Sequence, residues 1–176
     1  SMHMPAMRIL YILFICAVAG VSCDTNTKWK PIYEGKETPP DSLTEYVQWI
    51  SEADEAIKND PNDTEAFSVR AYSKYLTADY HGAISDYTRL IEMCPNDTDA
   101  YNYRGLSKYE LKQYTAAIED YNKAIAMNSR YAIAYYNRGV TKRELNDLQG
   151  AIADFTKAIE IDPNDADSYV GRGLVK

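Results

Sequence analysis

The sequence is poor in the residues that most enzymes use. Only two histidines occur among its 176 residues, His3 and His81. No group of His, Cys, Asp and Glu has the spacing of a metal site, and a Gly-rich phosphate loop and a Ser/His/Asp arrangement are lacking. The sequence therefore predicts no catalytic residue, no metal and no cofactor, and we expect the chain not to be an enzyme.

An excess of basic residues is lacking as well. The chain has 26 acidic and 19 basic residues, which gives a formal net charge of −7. Nucleic-acid binding needs clustered Lys and Arg that neutralise phosphates, so nucleic acid is not expected as a partner. The three cysteines are too few for the several disulfides that hold together a small secreted scaffold.

What the chain does have is a sequence repeat that begins at residue 64 and continues to its end. An Arg followed by a small residue recurs at positions 70, 104, 138 and 172, and an Ala-Ile pair recurs at the same step. A Pro-Asn-Asp joint ends most units, at 61–63, 95–97 and 163–165, and Ser129-Arg130-Tyr131 replaces it once. A fixed period of this size is typical of stacked repeats, in which each unit buries its apolar face against its neighbours.

Each unit is predicted to be a pair of antiparallel helices. Apolar and small residues recur at three- and four-residue steps over residues 101–109 and again over residues 117–125. The polar pair Lys112-Gln113 between them indicates a short turn, and a short connection places two helices antiparallel.

The pattern resembles the tetratricopeptide repeat (TPR) family, whose units carry an aromatic residue, a Leu-Gly pair, a second aromatic, an Ala, a third aromatic and a Pro. The unit 132–165 reads Tyr135, Arg138-Gly139, Lys142, Ala151, Phe155 and Pro163 at these positions. The resemblance implies an all-α fold, a right-handed superhelix (α-solenoid) of antiparallel helix pairs. The predicted array, 42–176, comprises a half repeat (42–63), three full repeats (64–97, 98–131 and 132–165) and a partial unit (166–176).

Every unit departs from the family pattern at two positions, where Arg replaces the usual Leu and Lys replaces the second aromatic. The arginines are Arg70, Arg104, Arg138 and Arg172, and acids recur in step with them at Asp86, Asp120 and Asp154. We interpret these residues as a structural ladder of ion pairs, because the planar Arg side chain can bond a carboxylate twice. An anion-binding stripe is the alternative, and the sequence leaves open whether each Arg meets the acid of its own or of the preceding unit.

In this family the first helices of successive units line a concave face that binds partners. The corresponding residues here are Ser68, Tyr72, Tyr75, Asn102, Leu106, Tyr109, Ile133, Tyr136, Val140, Arg143 and Val170. We expect a groove that binds a protein or peptide with apolar anchors, while some of the tyrosines pack between units instead. Glu65, Asp99 and Asp167 are predicted to line one rim of this groove.

Chaperone-binding members of the family grip a carboxylate at a peptide's C-terminus with Lys, Arg and Asn side chains. The matching positions here are Ser68, Tyr72, Tyr103, Ile133 and Asn137, or, one unit further on, Asn102, Leu106, Asn137, Asp167 and Gly171. Neither set supplies the cations, so binding to the acidic tails of Hsp70 or Hsp90 is not expected.

The segment before the array, 1–41, is predicted to serve as a targeting signal and a linker. Residues 1–6 are interpreted as a vector remnant and residues 7–22 as a secretory signal peptide with a basic start, a short apolar run and small residues. Residues 20–23 resemble a bacterial lipobox, which implies lipidation of Cys23, and residues 23–41 would form a tether. An apolar helix packed on the array or on a partner is the alternative for the apolar run.

Together these patterns predict a non-catalytic scaffold for protein–protein interaction, held at a bacterial envelope membrane by the lipid on Cys23 or otherwise secreted. The alternatives are a cytosolic TPR adaptor or co-chaperone without the carboxylate clamp, or the regulatory arm of an enzyme encoded elsewhere. Self-association through the open C-terminal edge or the N-terminal apolar segment is a further hypothesis. The sequence identifies neither the partner nor the biological process.

Overall fold

The computed structural model describes residues 43–175, and this range folds into eight α-helices without a strand. The helices are α1 Leu43–Asn59, α2 Thr64–Leu76, α3 Tyr80–Met93, α4 Thr98–Glu110, α5 Tyr114–Met127, α6 Ala132–Glu144, α7 Leu148–Ile161 and α8 Ala166–Gly173. The predicted vector remnant, signal segment, tether and lipidated Cys23 lie outside the described residues. None of the helices in the described range is long and apolar enough to cross a bilayer.

The helices stack in chain order, each packing against the one before it. Helices α2 and α3, α4 and α5, and α6 and α7 form the two-helix units, while α1 is a second helix and α8 a first helix of incomplete units. Each first helix also contacts the first helix of the next unit, whereas no two second helices touch within residues 43–175. The first helices therefore lie on the inner, concave side of the stack.

The joints between units cap the helices that follow them. Asp63 and Asp97 each accept a hydrogen bond from a backbone N–H in the first turn of the next helix, which satisfies a donor that the helix itself leaves unpaired. Asp79 and Asp147 cap the second helices α3 and α7 in the same way. Tyr131 replaces the aspartate before α6, and that helix begins without a side-chain cap.

The turn inside each unit depends on one residue with a positive φ angle. Ala78, Lys112 and Asn146 have φ angles of 64°, 60° and 62°, and they occupy the same place in successive units. This left-handed conformation is unfavourable for side chains other than Gly and Asn, so two of the three turns are strained locally. The conformation recurs because it lets the chain reverse direction within a very short turn.

Small residues let the two helices of a unit approach closely, and an aromatic ring fills the space beside them. Ala117 and Tyr121 of α5 are fully buried. A Cβ atom on Gly105 of α4 would lie 2.6 Å from a ring carbon of Tyr121, so no larger residue fits there without a shift. The equivalent rings of the neighbouring units, Tyr87 and Phe155, are also buried.

Candidate functional site

Three of the four ladder arginines bind the aspartate of their own unit. Nε and Nη2 of Arg104 donate to the two carboxylate oxygens of Asp120 over 2.9 and 2.7 Å. The same pair of bonds joins Arg70 to Asp86 and Arg138 to Asp154. The structure thus gives the register that the sequence left open, and each pair links the two helices of one unit.

The lysine that replaces the family's second aromatic residue contacts the same carboxylate. Nζ of Lys108 lies 2.7 Å from Asp120, and Lys74 and Lys142 occupy the equivalent places on Asp86 and Asp154 at 2.8 Å. These aspartates are only 3–4% exposed, so their charge needs close partners. Because Arg and Lys already bind protein carboxylates, this arrangement favours the structural ladder over an anion-binding stripe.

Each arginine also reaches back to the second helix of the preceding unit. Its Nη1 donates to the residue 16 positions earlier: Asp54 at 2.6 Å, Thr88 at 3.2 Å, Asn122 at 2.6 Å and Thr156 at 3.4 Å. One guanidinium therefore ties three helices together and couples adjacent units. Sequence reasoning missed this contact, although the polar residues that recur from Asp54 onwards at the step of the repeat were a visible signal.

An aromatic ring three residues before each arginine supports the guanidinium. The Cζ atoms lie 5.2–5.6 Å from the ring centres of Phe67, Tyr101, Tyr135 and Tyr169. This distance is within the range of a cation–π contact, which also keeps the arginine extended towards both of its polar partners.

Most of the residues predicted for the concave face keep part of their surface accessible. Those that are half-buried are Ser68, Tyr72, Tyr75, Leu106, Tyr109, Ile133, Tyr136 and Arg143, and Val170 is exposed. They lie on α2, α4, α6 and α8, the helices that neighbour one another on the inner side of the stack.

Asn102 and Val140 need correction, because both are buried and cannot serve as primary ligand contacts. Asn102 is 1% exposed and accepts a hydrogen bond of 3.0 Å from the side-chain amide of Asn137, which joins α4 to α6. Val140 packs in a cluster with Phe155. Their positions on the first helices are as predicted, but neighbouring helices cover these side chains.

Tyrosine pairs along the concave side divide into packing and edge residues. Tyr72 meets Tyr103 of the next unit edge to face at 5.6 Å, so it contributes to the contact between units. Tyr75 and Tyr109 instead pair with Tyr80 and Tyr114 across the turns inside their units, at 5.8 and 5.5 Å. Both pairs are half-buried, so part of their ring surface is accessible along one edge of the concave side.

The predicted rim acids Glu65, Asp99 and Asp167 lie in the first turns of α2, α4 and α8, at the opposite end of the first helices from the tyrosine pairs. Burial raises the pKa of Asp99, and the hydroxyl of Tyr131 donates a hydrogen bond to this carboxylate, which lowers the pKa in part. Burial also raises the pKa of Asp97 to about 6, and burial together with the charge of Asp63 raises that of Glu65. A positively charged group placed beside these carboxylates would offset the burial that raises their pKa values, so this edge would attract such a group.

The positions of a carboxylate clamp do not converge on a site for an anion. Tyr103 and Asn137 are buried, and Ser68, Tyr72 and Ile133 carry no charge. Arg143, a cation of the concave face outside the ladder, lies 3.4 Å from Glu144. Within residues 43–175 no group of His, Cys, Asp and Glu is arranged to hold a metal ion.

The fold and this face define a class of protein: an α-solenoid of helical hairpins with a tyrosine-rich concave side. Two family models match the chain, one described as a tetratricopeptide repeat over residues 132–165 and one as a TPR repeat over residues 105–142. The chain belongs to the tetratricopeptide repeat family. A search of curated proteins by sequence gave no significant match.

Several solved structures share the fold. MamA is 25% identical, with a TM-score of 0.71 over 75% of this chain and 77% of MamA. The second TPR domain of human RPAP3, in complex with the HSP70 peptide SGPTIEEVD, is 22% identical, with a TM-score of 0.60 over 62% of this chain and 91% of that domain. YrrB, described as a TPR protein with an unusual peptide-binding site, is 19% identical, with a TM-score of 0.64 over 76% of this chain and 69% of YrrB. The predicted TPR superhelix is confirmed.

Proposed function

We propose that this protein is a non-catalytic scaffold that binds a peptide segment of another protein along its concave face. The observation that carries the proposal is the row of half-buried side chains on α2, α4 and α6, among them Tyr75, Tyr109 and Tyr136. Tyrosine combines a large apolar ring with a hydrogen-bonding tip, which suits contact residues of a protein interface. Peptide binding by the similar RPAP3 domain and YrrB supports this choice.

The charges of the face favour a ligand with apolar anchors and basic flanks. Glu65 and Asp99 give one edge a negative character, and the ladder cations are engaged by buried aspartates. The HSP70 peptide bound by RPAP3 ends in the acidic sequence EEVD, for which this face offers no clamp. We therefore expect the ligand to differ in charge from chaperone tails.

Selection of peptides on the purified chain, followed by measurement of Kd for the best binders, tests this proposal. We expect Tyr109→Ala and Tyr136→Ala each to weaken binding at least about tenfold, equivalent to about 1.4 kcal/mol. Glu119→Ala is a matched control, because Glu119 is exposed on the second helix α5. Lys-flanked peptides should bind more tightly than Glu-flanked versions; equal affinities for all variants would refute binding at this face.

We further propose that the array is held at a bacterial envelope membrane by a lipid on Cys23. The apolar run and the lipobox-like residues 20–23 at its end support this localisation, because together they resemble a lipoprotein signal. Labelling cells with palmitate tests it: label should appear on the wild type and disappear from Cys23→Ala. An unlabelled wild type would instead favour a cytosolic adaptor.

A further inference from the structure

The chain itself contains a short segment with the chemistry that the concave face favours. Residues 28–33 read Lys-Trp-Lys-Pro-Ile-Tyr, so two cations stand beside two aromatic residues and an isoleucine. This segment belongs to the predicted tether and lies outside the described residues. It follows Cys23 in the sequence, so processing at that cysteine would retain it.

The composition of the segment matches a ligand that binds in an extended form. Between Cys23 and Leu43, the large apolar residues are Trp29, Ile32 and Tyr33, all within this segment. Pro31 disfavours the helical region for the residue before it, which favours an extended backbone. An extended peptide with aromatic anchors and flanking cations is the kind of ligand that the concave face is proposed to bind.

The concave face presents complementary groups at the two ends of its first helices. Tyr75 and Tyr109, near the ends of α2 and α4, are half-buried and give that edge aromatic surface. At the other edge Glu65 is exposed and Asp99 is half-buried, and a cation beside them would offset their burial. The two lysines of the segment therefore have acids to meet, and its aromatic residues have rings to contact.

The length of the segment fits the distance between these two edges. From Asp99 to Tyr109, helix α4 rises about 15 Å. An extended chain from Lys28 to Tyr33 spans at most about 18 Å. One copy of the segment can therefore contact the acids with its first residue and the tyrosines with its last.

The connection to the array permits this contact within one chain. Helices α1 and α2 pack on each other and are joined by the short connection 60–63, so they run antiparallel. Leu43, where α1 begins, therefore lies at the end of the pair that carries Tyr75. The chain from Tyr33 to Leu43 extends over at most about 35 Å, and packed helices lie about 8–10 Å apart. The segment can thus reach α2 and α4 with its last residue at the tyrosine edge.

We propose that residues 28–33 bind the concave face of their own chain and compete there with the peptide ligand. Tyr33 would pack beside Tyr75 and Tyr109, and Lys28 would lie beside Glu65 and Asp99. The inference rests on the proposed function, since it assigns an internal occupant to the same peptide-binding face. A tethered segment has an effective concentration on the order of millimolar, so even a weak contact keeps much of the face occupied.

A labelled synthetic peptide of residues 24–36, added to the purified full chain, tests this competition by fluorescence anisotropy. The double variant Trp29→Ala/Tyr33→Ala of the full chain should bind the probe at least about tenfold more tightly than the wild type does, because its internal competitor is disabled. Lys28→Glu/Lys30→Glu should act in the same direction. Thr38→Ala, a change elsewhere in the predicted tether, should leave the Kd at the wild-type value.

Substitutions on the array show where the probe binds. In the Trp29→Ala/Tyr33→Ala background, Tyr109→Ala and Glu65→Lys should each weaken binding of the probe at least about tenfold. Glu119→Ala, at an exposed position of the second helix α5, should not change it. Circular dichroism shows that each variant is folded before the Kd values are compared.

Three results would overturn the proposal. One is an equal Kd of the probe for the wild type and for the folded Trp29→Ala/Tyr33→Ala variant. Another is a probe that binds neither protein. The third is a wild-type mass in analytical ultracentrifugation that rises with concentration and ceases to rise in the double variant, because the segment would then bind a second copy.

The peptides selected on the purified chain separate this inference from the proposed function. If they bind the concave face while the probe does not, the internal occupant is wrong and the peptide-binding function stands. If neither the selected peptides nor the probe depends on Tyr109 and Tyr136, the proposed function itself fails.

Discussion

At the scale of single residues, each aspartate of the ladder is buried and binds two positively charged side chains, one Arg and one Lys. Asp120 binds Arg104 through two hydrogen bonds and meets Lys108 at 2.7 Å. Removing a carboxylate of this kind leaves two positive charges close together without their counter-charge. Loss of one member of a buried pair is far more costly than the net value of the pair itself.

We therefore predict that Asp120→Ala lowers the free energy of unfolding by about 3 kcal/mol or more. Urea denaturation monitored by circular dichroism measures this change. Glu119→Ala, a neighbouring exposed acid on the same helix, should stay within about 0.5 kcal/mol of the wild type. A loss for Asp120→Ala no larger than that of the control would contradict the structural role of the ladder.

A second residue-scale prediction concerns Asp97, whose pKa burial raises to about 6. An unfolded aspartate titrates near about 3.9, so between about pH 4 and 6 the folded state holds a proton that the unfolded state has released. This contribution to stability is present below about pH 4 and is lost as the pH rises to about 6.

Asp97→Asn should remove this dependence, since the amide oxygen can still accept the bond from the Ala100 N–H. At about pH 7.5 we expect the variant to be more stable than the wild type by on the order of 2 kcal/mol, with little difference at about pH 4. Thermal unfolding across this pH range provides the measurement, with Asp79→Asn at an exposed cap as the control. A gain that is the same at both pH values would show that the charge of Asp97 is not responsible.

Residue-scale burial is also where prediction from the sequence was weakest. The period placed Asn102 and Val140 on the first helices, but burial depends on how closely adjacent first helices approach. The register of the Arg–Asp pairs likewise depends on the tilt between the two helices of a unit. Both quantities come from three-dimensional packing and cannot be read from spacing along one helix.

At the scale of elements, the helix starts can be predicted from capping residues in the sequence. Aspartates at the joints cap the helices that follow, whereas the joint that ends at Tyr131 has neither proline nor aspartate, and α6 begins without a side-chain cap. The left-handed turn residues Ala78 and Lys112 could not be predicted in this way, since neither residue type favours a positive φ angle. The short path between the packed helices imposes their conformation.

Helix α5 offers a test of capping, because Gln113 precedes it without forming a side-chain cap. The backbone of Gln113, with φ −84° and ψ 60°, is close to that of the capping residue Asp79, with φ −81° and ψ 70°. Gln113→Asp should therefore stabilise the protein by about 1 kcal/mol in urea denaturation. Gln113→Ala should give no such gain, and an equal gain from both substitutions would exclude capping as the cause.

At the scale of the whole molecule, the repeat period was sufficient to predict the array. Each unit packs mainly on its neighbours, so one correctly interpreted unit fixes the arrangement of the others. The same locality limits what the sequence says about function, because TPR arrays differ in their ligands through surface side chains and not through the fold. The concave side chains and their accessibility, which depend on stacking, decide what this array can bind.

Hydrogen exchange of the array with and without a selected peptide tests the central claim most directly. Our account predicts that bound peptide slows exchange on the first helices α2, α4 and α6 and in the turns beside Tyr75 and Tyr109. The second helices α3, α5 and α7 should show little change, because their outer faces point away from the groove. Protection centred on the second helices, with the first helices unaffected, would contradict binding at the concave face.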